Sequence, residues 1–202
     1  MSLEIECKYL QVDFSKLKAR LTCQNAQDLG LGFEDNLIFD TEDGKLRQAH
    51  KLLRLRILHT PEAVNYIVTV KLPRPASQHC KIREEYEAQC VGGENLKIIF
   101  ESLGFKVVGR YEKLRHTYVL AGVHITLDRM PFGDFVELEG EEAAILDCAH
   151  VLNLDKHPQS TKSYAELYLD LHKELTKADI LQCVFSAEQR AACLALLGAK
   201  CF

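Results

Sequence analysis

Glu4, Glu6 and Lys8 stand at alternate positions in the run Glu4-Ile5-Glu6-Cys7-Lys8, and a β-strand sets two such carboxylates and an ammonium on one face. Leu3, Ile5, Cys7 and Tyr9 take the other, apolar face. The same parity returns along the chain. Arg54 and Arg56 alternate with Leu53, Leu55 and Ile57, and Thr69 and Lys71 with Val68, Val70 and Leu72. Arg83, Glu85 and Glu87 alternate with Ile82, Glu84, Tyr86 and Ala88, and Lys113, Arg115 and Thr117 with Leu114, His116 and Tyr118. His124, Thr126 and Asp128 oppose Val123, Ile125 and Leu127; Glu137 and Glu139 oppose Val136 and Leu138, with Phe135 on the glutamate side.

Taken singly, each run reads as a half-buried strand with its polar face in water. As a set they carry Glu, Asp, Lys and Arg where an ordinary solvent face carries Ser, Thr, Gln and Asn. If the sheet closes into a barrel, the apolar faces turn outward and the charged faces line a lumen. Burying so many charges for stability alone is unfavourable, because desolvation often exceeds the pairing gain. Arg and Lys suit phosphate oxygens, and clustered carboxylates suit Mg²⁺ or Mn²⁺. A polyphosphate with a divalent cation satisfies both halves.

The elements that must position these residues follow from the same alternation, with strands at about 3–10, 34–40, 52–58, 65–72, 80–90, 110–120, 122–128 and 134–140. Turn residues fall between them at Glu42-Asp43-Gly44, Pro73-Arg74-Pro75, Gly92-Gly93, Ala121-Gly122 and Phe132-Gly133-Asp134, with Ala121-Gly122 read as a tight hairpin. Helical spacing predicts a helix from a cap at Asp13 or Ser15 to about Gln24, and one over about 94–103 with Leu96, Ile99, Phe100 and Leu103 on its apolar face. Two more are expected over about 141–152 and 162–174. The tail carries capping-box signatures at Thr176 to Asp179 and Ser186 to Gln189, which predict amphipathic helices packed on the domain or a partner. Strands joined by short turns, with helices set apart, indicate an α+β fold with an antiparallel sheet.

Composition narrows the classes. The 202 residues are 47% hydrophobic and 27% charged, with a net charge of −4; this fits a globular domain and argues against a surface built for nucleic acid. Trp is absent, and no aromatic and basic residues interleave as a single-strand RNA platform would need. No run is long and apolar enough to span a membrane, and no basic-then-apolar leader opens the chain, so the expectation is a cytoplasmic protein. The eight cysteines include no C-x-x-C, and the eight histidines no H-x-H or H-E-x-x-H. The expectation is therefore reduced thiols acting as small hydrophobes, Cys7 among them, and no zinc site.

The ordered series resembles the CYTH superfamily, the triphosphate tunnel metalloenzymes, and looks closest to its bacterial class IV adenylate cyclase branch. It begins with E-x-E-x-K at Glu4, Glu6 and Lys8 and runs through Phe39-Asp40-Thr41, Leu53-Arg54-Leu55-Arg56, Thr69-Val70-Lys71 and Arg83-Glu84-Glu85-Tyr86-Glu87. Glu112-Lys113-Leu114-Arg115, Ile125-Thr126-Leu127-Asp128, Gly133-Asp134-Phe135-Val136-Glu137-Leu138-Glu139 and Lys162-Ser163-Tyr164 complete it. The resemblance implies an eight-stranded antiparallel β-barrel, a tunnel with a charged lumen covered by helices, over residues 1–175, with 176–202 as a C-terminal helical extension. It implies that Lys8, Arg54, Arg56, Lys71, Lys113, Arg115 and Lys162 bind triphosphate. Glu4, Glu6, Glu85, Glu87, Asp128, Glu137 and Glu139 are the implied ligands of one or two Mg or Mn ions, and Glu4, Glu6, Lys8, Arg115 and Asp128 the catalytic set.

The chemistry so implied is in-line displacement at phosphorus. Hydrolysis of inorganic triphosphate, thiamine triphosphate or a nucleoside triphosphate is the preferred reading. Cyclisation of ATP to cyclic AMP and pyrophosphate uses nearly the same site and is the alternative; fold branch does not decide between them. A non-catalytic polyphosphate-binding module is the third, less favoured because polyanion binding needs the bases but not the acids. The expected partner is a small-molecule triphosphate, with no nucleic acid or membrane, and a homodimer is left open.

Overall fold

The computed structural model describes residues 2–75, 80–174 and 181–198. Each alternating run is a strand: β1 (Ser2–Leu10), β2 (Gln27–Thr41), β3 (Leu52–His59), β4 (Val64–Pro73), β5 (Lys81–Cys90), β6 (Phe105–Leu120), β7 (Val123–Met130) and β8 (Gly133–Glu139). Pairing runs β6-β2-β3-β4-β5-β1-β8-β7 and returns to β6, closing an eight-stranded antiparallel barrel in an α+β fold. Two further strands are too short for alternation to signal. β9 (Gln159–Ser160) pairs with β1, and β10 (Leu181–Cys183) lies parallel to β6. The β6–β7 hairpin turns at Ala121 and Gly122, whose φ angles of 50° and 80° are both positive, as the primed turn matching strand twist requires.

The apolar faces turn outward and are covered by helices. Those helices are α1 (Phe14–Cys23), α2 (Lys45–Gln48), α3 (Leu96–Ser102), α4 (Glu142–Val151), α5 (Tyr164–Leu171) and α6 (Ala187–Gly198). Asp13 caps α1, accepting from the Ser15 and Lys16 amides, and a capping box between Ser163 and Glu166 starts α5. Leu17 and Leu21 of α1 and Ile145 of α4 pack with Cys7, Tyr9, Ile125, Leu127, Val136 and Leu138. Phe39, Leu53 and Leu55 form a second cluster against Leu46, Leu96 and Phe100. The third joins Phe33 and Leu114 to Phe185, Cys193 and Leu197. The predicted face of α3 is only half realised. Leu96 and Phe100 pack, whereas Ile99 is 47% and Leu103 70% exposed, because the helix stops at Ser102 after two turns at most. In the tail, Ser186 and Gln189 form their reciprocal cap; Thr176 to Asp179 lies outside the described residues.

The cysteine expectation needs correction at one pair. Cys7 does face outward into the core, but it is bonded to Cys80. The β1–β5 register sets Glu6 opposite Lys81, so Cys7 and Cys80 are the next cross-strand neighbours, with Cα atoms 4.8 Å apart. A partner 73 positions away leaves no local sequence signature. Cys23, Cys90, Cys148, Cys183 and Cys193 are free thiols. No helix among the described residues is long and apolar enough to cross a membrane.

Candidate active site

The barrel interior opens into a cavity of about 540 Å³, lined among others by Glu4, Glu6, Lys8, Arg54, Arg56, Lys71, Lys113, Arg115, Glu137 and Glu139. That size lies within the roughly 300–1,000 Å³ usual for small-molecule sites. Register explains the convergence. Lys8 faces Glu137 across β1–β8, Lys71 faces Glu85 across β4–β5, Lys113 faces Glu34 across β2–β6, and Arg115 faces Asp128 across β6–β7. These four rungs set opposite charges directly across from each other, which stabilises the pairing. One rung breaks the rule: Glu6 lies directly opposite Glu139.

Asp128 is the fixed point of the basic wall. Fully buried, it accepts from Lys113 Nζ at 3.0 Å, Arg115 Nε at 2.6 Å and Tyr164 Oη at 2.7 Å. Arg115 continues to Glu137 at 2.7 Å. Lys8, 2% exposed, contacts Glu137 at 3.0 Å, donates to the Lys162 carbonyl and sits 4.4 Å over the Tyr164 ring. Burial alone would lower the Lys8 pKa, but Glu137, with Glu6, raises it. Burial also raises the Tyr164 hydroxyl well above its usual value, reinforced by Asp128 and Glu137. Both shifts hold the proton on the group near neutrality.

Arg54 donates to Tyr111 Oη at 3.2 Å, Thr69 at 3.1 Å and Glu87 at 3.2 Å, with Glu85 at 3.6 Å. Lys71 bridges Glu4 at 2.5 Å and Glu85 at 3.2 Å. Arg56 reaches Glu34 at 3.4 Å. The buried side-chain polar atoms that lack a hydrogen-bond partner among the described residues are Asn36 Oδ1, Arg54 Nε, Arg56 Nε and Thr126 Oγ1. All four belong to inward-facing positions of β2, β3 and β7. Buried polar atoms are nearly always satisfied, so these mark where a polar ligand would complete the bonding.

The acidic residues divide. Glu4 pairs with Lys71, Glu6 with Lys81 at 3.4 Å, and Glu137 with Lys8 and Arg115. Glu85 and Glu87 attach to Arg54 and are not among the lining residues, and Asp128 is enclosed by its three donors. Among the described residues no three acids lie close enough to hold a metal as they stand; Glu4, Glu6, Glu85, Glu87, Asp128 and Glu137 are each drawn to an ammonium or guanidinium. The expected seven-residue ligand set is therefore not assembled. Donor chemistry still fits a hard divalent cation at one place, the like-charged rung. Burial raises the Glu139 carboxyl, and Glu4 and then Glu6 raise it further. Carboxylates crowded in this way share a negative field that Mg²⁺ or Mn²⁺ would neutralise.

Two placements depart from the sequence expectation. The Lys162 ammonium lies outside the cavity lining, 2.6 Å from Asp170 on the exposed side of α5; the residue contributes its carbonyl instead. Helix direction, invisible in the motif, turns its neighbour Tyr164 inward. Glu34 was not anticipated. It is 2% exposed among Arg56, Lys113 and Arg115; burial pushes its carboxyl up, but those cations hold it well below the carboxylate range. Parity with Asn36 could have found it. Tyr111 likewise shares the parity of Lys113 and Arg115.

A CYTH domain model matches residues 2–165. A Methanocaldococcus jannaschii protein named "Putative adenylate cyclase" is 28% identical over 82% of this chain and 98% of its own. A Pyrococcus horikoshii protein structure is 27% identical with a TM-score of 0.68, covering 81% of this chain and 98% of that one. The fold extends to a Hippeastrum protein, 19% identical with a TM-score of 0.62 over 87% of this chain and 98% of that one, described as a "Putative adenylyl cyclase" with "a dominant" triphosphatase activity. With its charged tunnel and its match over most of its length, this chain belongs to the CYTH domain family.

Proposed function

We propose that this protein is a divalent-metal-dependent phosphohydrolase acting on a triphosphate, whether inorganic, thiamine-linked or nucleoside-linked. The observation that carries the reading is the juxtaposition, in one cavity, of a wall of bases with open donors and the like-charged Glu6–Glu139 rung. CYTH members are triphosphatases or adenylate cyclases and are generally divalent-metal dependent, which supports a polyphosphate and a metal as occupants.

In this reading Lys8, Arg54, Arg56, Lys113 and Arg115 bind the phosphates. Asp128 orients Lys113, Arg115 and Tyr164. Glu4, Glu6 and Glu139 would hold the metal, which when bound supplies Lewis-acid charge to phosphate oxygens. Catalysis rests on positioning and on charge fixed where the transition state develops it. Arg54, whose Nε has no hydrogen-bond partner, and Arg56, whose Nε has only an ion-pair contact to Glu34 at 3.4 Å, favour a phosphate that brings more acceptors than the facing carboxylates offer.

A second reading, class IV adenylate cyclase, is favoured by the name of the M. jannaschii relative and by the apolar part of the lining. There Ile38, Leu52, Val108 and Leu169 offer a surface for a nucleoside. A product assay with Mg²⁺ or Mn²⁺ on inorganic triphosphate, thiamine triphosphate and ATP separates the two. Free phosphate is the expected product; cyclic AMP with pyrophosphate would replace the first reading by the second, and no product from any substrate would leave a binding module. Full metal-dependent turnover by a Glu4→Ala/Glu6→Ala variant would remove the acidic rung from the mechanism.

A further inference from the structure

The two sides of β6 are closed differently. β2 pairs with it along almost its whole length, whereas β7 pairs only from Leu114 to Leu120 and ends at Met130. The stretch of β6 before Leu114 carries Val108, Gly109 and Tyr111 into the cavity lining. β10 lies beside that stretch, pairing Leu181, Gln182 and Cys183 with Gly109, Arg110 and Tyr111. An uncovered strand edge next to a charged cavity would leave backbone groups to water, and water in the wall weakens every ionic contact inside it.

The tail is held in place by a built attachment. Glu112, 1% exposed on the outer face of β6, accepts from the Phe185 amide at 3.0 Å and from Arg190 Nη1 at 2.6 Å. Arg190 also reaches Asp35 at 3.4 Å and lies over the Phe33 ring. From the other side, Tyr168 of α5 donates to the Gln182 carbonyl at 3.4 Å. Cys183, 2% exposed, joins Met130 and Phe135 in a cluster on which Tyr111 and Tyr164 pack. Those two tyrosines touch Arg54 and Asp128 in the lumen. Burial, and then Glu112, push the Cys183 thiol up to about 12, so it packs rather than reacts. The family match ends at residue 165, and 82% of this chain accounts for 98% of the M. jannaschii relative.

We propose that β10 and α6, which lie beyond the part matched to the family, form an added wall of the tunnel that seals the β6 edge and positions Tyr111, so that triphosphate binding at Arg54 depends on the tail. This rests on the triphosphate reading of the cavity. Arg190 and Cys183 are positioning residues, outside the reacting groups.

The test uses the full-length protein and its Arg190→Ala, Arg190→Lys and Cys183→Ala variants. Amide exchange at Gly109–Tyr111 reports the wall without any ligand; calorimetric titration with inorganic triphosphate and steady-state kinetics report the site. Arg190→Ala and Cys183→Ala are expected to lose protection at Gly109–Tyr111 and to weaken triphosphate binding about fivefold to tenfold. KM should rise with kcat nearly unchanged, and Arg190→Lys should recover much of the loss. Wild-type affinity in both alanine variants, or unchanged protection at Gly109–Tyr111, overturns the proposal. A wild-type protein that itself fails to bind triphosphate refutes the functional reading instead, and the exchange data still decide whether the tail forms the wall.

Discussion

Strand β6 carries a buried charge cluster on each of its faces, and the two are built alike in composition but not in bonding. On the outer face Arg110 makes two contacts to Asp35, at 2.9 and 2.8 Å, and Glu112 accepts from Arg110, Arg190 and the Phe185 amide. None of the buried unpartnered side-chain atoms lies there. On the inner face Lys113 and Arg115 meet Glu34, Asp128 and Glu137. Nearby, Arg54, Arg56 and Thr126 line a cavity, and they and Asn36 each keep a polar atom without a hydrogen-bond partner. Charge and burial therefore do not identify a site. Nor does room, since Asp35 and Arg110 line a cavity of about 580 Å³ on the outer face; unused bonding capacity does.

Strand β1 offers the sharpest separation, because its outer face is held by a covalent bond and its inner face by ions. The Cys7–Cys80 bridge closes a 73-residue separation, for which chain entropy gives about 4 kcal/mol. A Cys7→Ser/Cys80→Ser variant, unfolded in urea beside the oxidised protein, should show a loss of that size. Its kcat/KM below the melting range should stay within about twofold of wild type, since outer-face lesions act on stability. A large fall in turnover with stability intact would mean that the two faces are not separable.

Arg115→Ala is the complementary lesion. It removes contacts to Asp128, Glu137 and Glu34 together and should lower kcat/KM for the triphosphate by about 10²–10³. Lys113 and Tyr164 still bond Asp128, and Lys8 still bonds Glu137, so the fold should survive. Steady-state kinetics with thermal melting checks both halves. Near-normal turnover would reduce the inner cluster to the structural status of the outer one.

How much of this was legible in the sequence depends on where each residue's partner lies. Alternation alone located all eight barrel strands and turned Lys113, Arg115 and Asp128 inward, because side-chain parity is local. Glu34 escaped because Asp35 beside it is also acidic and buried, so β2 shows no clean contrast between its faces. Only tertiary context, with Arg110 on one side and Arg56 on the other, sorts them. Sequence alone makes Cys7 a packed thiol, because its partner stands 73 positions away, just before β5. β10 has no period to detect; it is a strand only because β7 stops short and leaves an edge to pair with.

Glu34 is buried among the bases, and its protonation tests whether the inner ions support the fold. Its folded pKa lies below the unfolded value near 4.5. Its contribution is therefore fully present above about 4.5 and is lost as pH falls toward the folded value. Glu34→Gln should lower stability by about 2 kcal/mol at neutral pH, the value of a hydrogen bond to charged groups. The gap to wild type should narrow steadily in acid. Chemical denaturation from neutral pH to about pH 3 follows it; a gap independent of pH would assign the loss to packing rather than charge.

The smallest effect is expected where the motif pointed to a charge that the fold directs elsewhere. Lys162 and Lys8 lie within one bonding unit, since the Lys8 ammonium donates to the Lys162 carbonyl at 3.0 Å. Lys8 has its ammonium buried against Glu137 and Tyr164, whereas that of Lys162 is exposed beside Asp170. An exposed ion pair is screened and contributes little. Lys162→Ala retains the carbonyl, so its KM for inorganic triphosphate should change by less than about twofold and its melting temperature should stay at the wild-type value. A fall in affinity comparable to that of a lumen arginine would show that α5 swings Lys162 over the bound phosphate. In that case the boundary between the inner and outer clusters would be set by the substrate, not by the barrel.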